Sequence, residues 1–172
     1  GISFTSGEKV KEEILSRIPI TLTINIVSMI LIFIISLYFG IKSAMKKDSI
    51  FDKLTNQLSL LSFSMPSFYL ALVLVLVFSI KFELFPIAGL HSVPNDGSLN
   101  YYLDFAWHVT LPIFIIVFGG IGSLILYIRA LTIEILKSDY IFFARARGLD
   151  NKKILRYYIL PNLYPPVITL LG

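Results

Sequence analysis

The segment that decides the fold is FAWHVTLPIFIIVFGGIGSLILYI, residues 105–128, which has no Lys, Arg, Asp or Glu over 24 positions. An α-helix rises 1.5 Å per residue, so about 20 apolar residues cross a hydrocarbon core of roughly 30 Å. Uncharged runs also occupy 18–41, 58–80 and, more briefly, 157–172. The sequence therefore predicts an all-α, polytopic transmembrane helical bundle. We expect a fragment of a longer protein, with three full spans and the start of a fourth.

Composition excludes several other classes of protein. The chain is 56% hydrophobic and only 15% charged, which is unusual for a soluble domain of 172 residues. It has no Cys, so disulfide frameworks and Cys-based metal sites are excluded. The two histidines, His91 and His108, are 17 positions apart without carboxylates at ligand spacing, and we interpret them as interfacial residues. We expect no metal, no cofactor and no catalytic residues.

Basic residues are distributed unevenly between the segments that separate the apolar runs. Segments 42–57 and 129–156 carry eleven of the fifteen Lys and Arg, and segments 1–17 and 81–104 carry four. Because cytoplasmic loops are enriched in Lys and Arg, the first pair is predicted to be cytoplasmic and the second pair external. This asymmetry accounts for the net charge of +4, so no nucleic-acid partner is expected.

The second apolar run contains Pro66 together with several serines. A proline inside a membrane helix frees a backbone carbonyl, which a Ser hydroxyl can satisfy. The sequence predicts a kink within span 58–80, either packed against neighbouring helices or serving as a flexing point beside a translocation path.

The segment DYIFFARARGLDNKKILRYYILP, residues 139–161, is too polar for a span and too regular for a linker. Gly148 can end a helix in the left-handed conformation, and Asp150 can cap the next helix. Leu149 and Ile154 have the spacing of a hydrophobic staple around that cap. The segment therefore predicts a helix, a tight turn and a second helix beside the membrane.

A docking surface is one interpretation of this segment. Leu136, Tyr140 and Phe143 recur at i, i+4 and i+7, which predicts one helix face, and the small Ala144 and Ala146 permit close contact. The alternative is an amphipathic helix that lies on anionic lipid. That interpretation uses the positive charges of Arg145, Arg147, Lys152 and Lys153.

The spacing of Gly148 from Leu160 and Pro161 resembles the EAA loop of ABC importer permeases. The run from Ala144 to Leu149 is similar to the oligopeptide, dipeptide and nickel branch of that family, as is Ser-Met-Pro-Ser-Phe at 64–68. The chain departs from the pattern where Phe142 and Phe143 replace Glu and the first Ala, and where Tyr158 replaces Ile.

The resemblance implies the type I ABC importer permease fold, with a partial ABC transmembrane type-1 domain over 18–172 after an external segment, 1–17. It implies a permease subunit that forms the translocation path of an ATP-driven importer, for oligopeptides or dipeptides. It also implies that loop 129–156 couples the permease to a separate ATPase. The coupling residues would be Tyr140, Phe143, Ala144, Ala146, Gly148, Leu149, Asp150, Leu160 and Pro161.

The partners implied by the resemblance are a second permease subunit in a heterodimer, two ATP-binding subunits, an extracytoplasmic solute-binding protein and membrane lipid. The expected location is a bacterial or archaeal inner membrane, with several passes. The chain contains no G-x-x-x-x-G-K-[ST] motif, so ATP hydrolysis is expected on a partner and this chain is not expected to be an enzyme.

Two other functions stay open at the sequence level. The permease could serve nickel or another small solute, because no charged residue within the spans indicates a ligand. The chain could also be a membrane scaffold that binds a partner and transports nothing. An intramembrane enzyme is disfavoured, because the sequence has no paired intramembrane carboxylates and no evident Ser–His arrangement.

Overall fold

A computed structural model describes residues 9–170, and these residues are predominantly helical. In chain order the helices are α1 (Val10–Met45), α2 (Ile50–Ser64), α3 (Ser67–Leu74), a first π-helical segment (Val75–Lys81), α4 (Leu99–Leu136), α5 (Asp139–Ala146), α6 (Asn151–Ile154), a second π-helical segment (Leu155–Ile159) and α7 (Leu160–Thr169). The predicted all-α class is confirmed for this part of the chain.

The described residues divide into two compact units. The first comprises 9–31 and 66–118, and the second comprises 32–65 and 119–170. The second unit contains the end of α1, all of α2, the end of α4 and everything that follows. It therefore contains the whole of the predicted coupling segment.

Within residues 9–170, two helices, α1 and α4, are long and apolar enough to cross a membrane. A third span exists only if α2 is counted together with α3 and the first π-helical segment. The kink predicted within 58–80 is a full interruption of the helix between α2 and α3, because Met65 and Pro66 adopt extended backbone with ψ of 121° and 131°. Proline lacks the N–H that would continue the ladder, and the residue before it is pushed out of the helical region.

The helices that contain the other predicted spans begin and end at different residues from those spans. α1 begins at Val10, inside the predicted external segment 1–17, whose first eight residues lie outside the described chain. Span 105–128 lies within the longer helix α4. The predicted fourth run, 157–172, is helical to Thr169 but starts inside the second π-helical segment, and its last two residues are not described.

Segments 42–57 and 129–156, which were predicted to separate the spans, contain little non-helical chain. Segment 42–57 reduces to a turn at 46–49, with Asp48 at φ 65°. Segment 129–156 is largely helical, because α4 continues to Leu136 and two further helices follow. Basic residues mark the edge of the apolar run without ending the helix, since a cation near a helix C-terminus is favourable and a long side chain can reach water.

Glycines allow the helices of the second unit to pack backbone against side chain. A Cβ atom at Gly40 of α1 would lie 2.8 Å from the Ile128 side chain of α4. A Cβ atom at Gly122 of α4 would clash with the carbonyl oxygen of Ser59 and lie 2.9 Å from the Phe63 nitrogen, both in α2. Small residues permit this close approach, so α1, α2 and α4 are tightly joined here.

Candidate coupling site

The turn between α5 and α6 is fixed by backbone hydrogen bonds. Gly148 has φ 82°, its N–H donates to the Arg145 carbonyl at 2.9 Å, and the Leu149 N–H donates to the Ala144 carbonyl at 3.2 Å. This pair of bonds is the Schellman arrangement that ends a helix with a left-handed glycine. A carboxylate oxygen of Asp150 then accepts from the Lys153 N–H at 2.8 Å, which caps α6. The local sequence thus forms the predicted helix–turn–helix.

An aliphatic core holds this helix–turn–helix against the long helices. Ile141 of α5 and Ile154 of α6 are each 1% exposed, and they share one cluster with Ile41 of α1 and Ile128 of α4. The remaining buried members are Ile159, Leu163 and Val167. Because all seven belong to the second unit, the turn is packed in one body with 32–45 of α1 and 119–136 of α4.

Several predicted coupling residues lie on the surface. Tyr140 is 41% exposed and Phe143 is 58% exposed, and Phe142 beside them is 69% exposed. The Tyr140 ring stacks on Tyr158, with centroids 6.2 Å apart and planes 14° apart. We name Tyr140, Phe142 and Phe143 the aromatic surface of α5. Ala146, Gly148, Asp150 and Pro161 are also exposed.

Other predicted coupling residues point into the unit instead. Ala144 is 0% exposed, so its small side chain allows α5 to approach its own core and cannot contact a partner directly. Leu149 and Leu160 are half-buried and pack against the same core. The predicted face of Leu136, Tyr140 and Phe143 is wrong, because Leu136 belongs to α4 and the helix is interrupted before α5 begins.

This unit also contains a buried ion pair that was not predicted from the sequence. Arg129 of α4 donates from Nε and from an Nη atom to the two carboxylate oxygens of Asp52 in α2, each at 2.7 Å. The Asp48 N–H donates to the same carboxylate at 2.9 Å, the Asn56 amide at 3.0 Å, and the Ser43 hydroxyl completes the set. This Asp52–Arg129 network joins α1, the turn after it, α2 and α4.

The network is compact and well shielded. The Asp52 side chain is 3% exposed and the Arg129 side chain 21% exposed. A bidentate guanidinium–carboxylate pair fixes orientation as well as distance. Since Arg129 lies in the last two turns of α4, the network holds the helix end from which α5 departs. The available sequence signal was an Arg directly after an apolar run and an Asp in the first turn of a helix.

A second polar cluster lies in the first unit, around His91 and His108. Nδ1 of His108 is 2.8 Å from the Asp104 carbonyl, and its Nε2 is 3.2 Å from the Ser92 hydroxyl. Because a carbonyl oxygen only accepts, Nδ1 carries a proton, and in the neutral ring Nε2 accepts from Ser92. His91 stacks on Tyr101 with centroids 3.9 Å apart. Within residues 9–170, no three His, Asp or Glu side chains could hold a metal ion.

The sequence had shown no Ser–His arrangement, whereas the structure brings Ser92 and His108 together from positions 16 apart. Their bonds attach the segment before α4 to the first turns of that helix, together with the Ser92 N–H, which donates to the Asp104 carboxylate at 2.7 Å. We therefore assign this cluster a structural role in that segment.

The two long apolar helices, α1 and α4, indicate an integral α-helical membrane protein. The chain belongs to the family of binding-protein-dependent transport system inner membrane components, whose model matches residues 36–172. This finding confirms the resemblance to ABC importer permeases. Family members are transport subunits rather than enzymes.

Curated relatives extend the likeness beyond the matched domain. The chain is 32% identical to the oligopeptide transport system permease protein AppB of Bacillus subtilis, over 96% of this chain and 52% of that protein. It is 30% identical to the inner membrane ABC transporter permease protein YejB of Escherichia coli O157:H7, over 94% and 46%. It is 28% identical to the dipeptide transport system permease protein DppB of Escherichia coli K12, over 100% and 56%. The chain spans about half the length of these relatives.

Proposed function

We propose that this chain is part of the permease subunit of an ATP-driven peptide importer, and that the helix–turn–helix at 139–160 couples it to a separate ATPase. The names of the relatives support an oligopeptide or dipeptide substrate. Membership of the family supports assembly with a second permease, two ATP-binding subunits and an extracytoplasmic binding protein. In this proposal the turn at 46–49 and the segment after α4 face the cytoplasm, as their Lys and Arg content favours.

The observation that carries the proposal is the shared aliphatic core. A coupling element has to transmit a displacement from one end to the other. It can do so only if it moves as a rigid unit, without internal deformation. Ile141 and Ile154 lie in the same packed cluster as Ile41 and Ile128 of the long helices. Packed interiors are dense and barely compressible, so a displacement of α5 would be passed to α1 and α4.

The aromatic surface of α5 is the proposed contact with the ATPase. Tyr140, Phe142 and Phe143 are large rings held on a short helix whose opposite side is anchored by Ile141 and Ala144. Aromatic side chains contribute strongly to protein interfaces because they bury much area for little loss of rotamer freedom. Phe142 and Phe143 occupy the positions at which the EAA pattern has Glu and Ala, so this docking contact is more apolar than that pattern would give.

The test substitutes Gly148→Val in the full-length permease and measures peptide uptake and co-purification of the ATP-binding subunits. A β-branched residue at φ 82° is strained by about 1–2 kcal/mol. Apart from Gly148 itself and its two chain neighbours, no described residue has an atom within 4 Å of the position that the new Cβ would take, so the change strains the turn without a clash. We expect normal membrane abundance with reduced uptake and weaker ATPase association.

Gly97→Val is the matched control, because Gly97 has φ 70° and equally open surroundings in the other unit. It should leave ATPase association unchanged. Asp150→Ala should act more mildly than Gly148→Val, since loss of an N-cap costs about 1 kcal/mol. Wild-type uptake and association in Gly148→Val would refute the coupling role. Damage confined to a Lys152→Gln, Lys153→Gln double variant would favour the lipid-surface interpretation instead.

A further inference from the structure

The second unit contains a groove whose lining shares only Leu160 with the proposed coupling residues. It has a volume of about 640 Å³ and lies between the last turns of α1 and the stretch from α6 to the start of α7. Its walls are mainly aliphatic, with Leu37 and Ile41 on one side and Leu155 and Leu160 on the other. Apolar walls of this kind accommodate a hydrocarbon chain.

The groove has cations at one end. Lys42 and Lys46 both line it, and none of the described residues that line it is acidic. The Lys42 ammonium donates to the Tyr38 hydroxyl at 2.6 Å and lies 4.7 Å and 4.9 Å from the ring centroids of Tyr38 and Phe51. Lys42 is therefore held in place before any ligand arrives. The Tyr38 hydroxyl accepts from Lys42, which leaves its own proton available to an oxygen of the ligand.

The polar end of the groove coincides with the edge of the membrane. The uncharged run 18–41 ends one residue before Lys42, so Lys42 lies where the hydrocarbon region gives way to lipid headgroups. From there the apolar wall extends back along α1 toward Ile34, into the hydrocarbon depth. A phospholipid has this same order, with a phosphate at the interface and acyl chains below it.

We propose that this groove binds one anionic phospholipid, with its phosphate near Lys42, Lys46 and the Tyr38 hydroxyl and an acyl chain along Leu37 and Ile41. Basic pockets between membrane helices are suited to acidic headgroups. The absence of carboxylates from the described lining favours a net negative headgroup over a zwitterionic one. The proposal is independent of the coupling function, because it requires neither transport nor an ATPase.

The first experiment reconstitutes the full-length permease with phosphatidylglycerol or phosphatidylcholine and measures the bound lipid by native mass spectrometry. The wild type should retain phosphatidylglycerol preferentially. Each lysine near the interface contributes about fivefold to binding, so Lys42→Gln combined with Lys46→Gln should lower retention by at least tenfold. Lys47→Gln is the matched control, since Lys47 is exposed, adjacent in sequence and outside the groove.

Equal retention of the two lipids by the wild type would overturn the proposal. So would an equal loss in Lys47→Gln, because it would indicate a diffuse attraction to the charged helix end. The second experiment places a photoreactive amino acid at Leu155 in the groove wall. Crosslinks to phospholipid support the proposal, whereas crosslinks to another polypeptide segment would show that a protein helix fills the groove.

Discussion

Each of the two units is stabilised internally by a different kind of contact. The second unit has an aliphatic core, helices that touch through glycines, and the buried Asp52–Arg129 network. In the first unit the non-helical segment 82–98 is attached to α4 by individual side-chain bonds. Trp107 Nε1 donates to the Leu84 carbonyl at 2.8 Å, and the Asp104 carboxylate accepts from the Ser92 N–H.

This difference indicates how stability is distributed. Burial of apolar surface is shared among many contacts, so the second unit should open only as a whole. A segment held by a few polar contacts can open locally at much lower cost. The second unit is suited to transmitting a displacement through the protein, and segment 82–98 of the first unit is suited to changing conformation at the surface. The following three substitutions test that contrast.

The largest effect is expected for Asp52→Asn. It leaves Arg129 partly buried beside a neutral group, and breaking a buried ion pair costs about 3–5 kcal/mol. The melting temperature of the purified full-length permease should fall strongly. Asp48→Asn is the control. Asp48 lies four residues before Asp52, its side chain is exposed, and Asn tolerates its positive φ. Similar melting temperatures for both variants would show that the network does not stabilise the unit.

Gly122→Ala should have the next largest effect. The added methyl group would clash with the Ser59 carbonyl, so α2 and α4 must move apart, and overpacking of this kind costs about 1–3 kcal/mol. Gly119→Ala adds the same methyl group three residues away, where no described atom outside its chain neighbours and the local backbone of α4 lies within 4 Å. The measurement is thermal unfolding of both variants. If Gly119→Ala destabilises the protein as much as Gly122→Ala does, the close contact between α2 and α4 is contradicted.

The smallest and most local effect is expected for Trp107→Phe. The variant loses the bond to the Leu84 carbonyl, which contributes about 0.5–1.5 kcal/mol. Hydrogen exchange should quicken in segment 82–98 while the melting temperature stays nearly constant. Tyr102→Phe is the control, because the Tyr102 side chain is exposed and Phe keeps the ring that packs edge-on against Tyr101. A fall in melting temperature for Trp107→Phe would show that the two regions open together.

The features that the sequence predicted well are those encoded within a few residues. Gly148 and Asp150 each act on backbone atoms no more than three residues away, so the turn and the cap could be predicted from residue type alone. The two long helices were equally predictable, because an uninterrupted apolar run has few alternatives in a membrane.

The features that the sequence did not reveal depend on distant residues or on the exact end of a helix. Asp52 and Arg129 are 77 positions apart, and only the packing of α2 on α4 brings them together. The buried side of α5 carries Ile141 rather than Leu136, because α4 ends at Leu136 and α5 begins only at Asp139. Periodicity continued across a helix end assigns the wrong residues to a face.

The second π-helical segment has a consequence for insertions and deletions in this protein. The buried residues Ile154, Ile159, Leu163 and Val167 are spaced five, four and four apart. In a regular α-helix residues five apart differ by about 140° around the axis, so Ile154 and Ile159 would not share a face. The wider π-helical turn at Leu155–Ile159 places Ile154 and Ile159 on the same side of the helix. It has the effect of one residue inserted into an α-helix. Loss of one residue between 155 and 158 would convert this turn to an ordinary α-helical turn and keep the buried row intact, whereas the same loss in α7 would rotate that row away from the core.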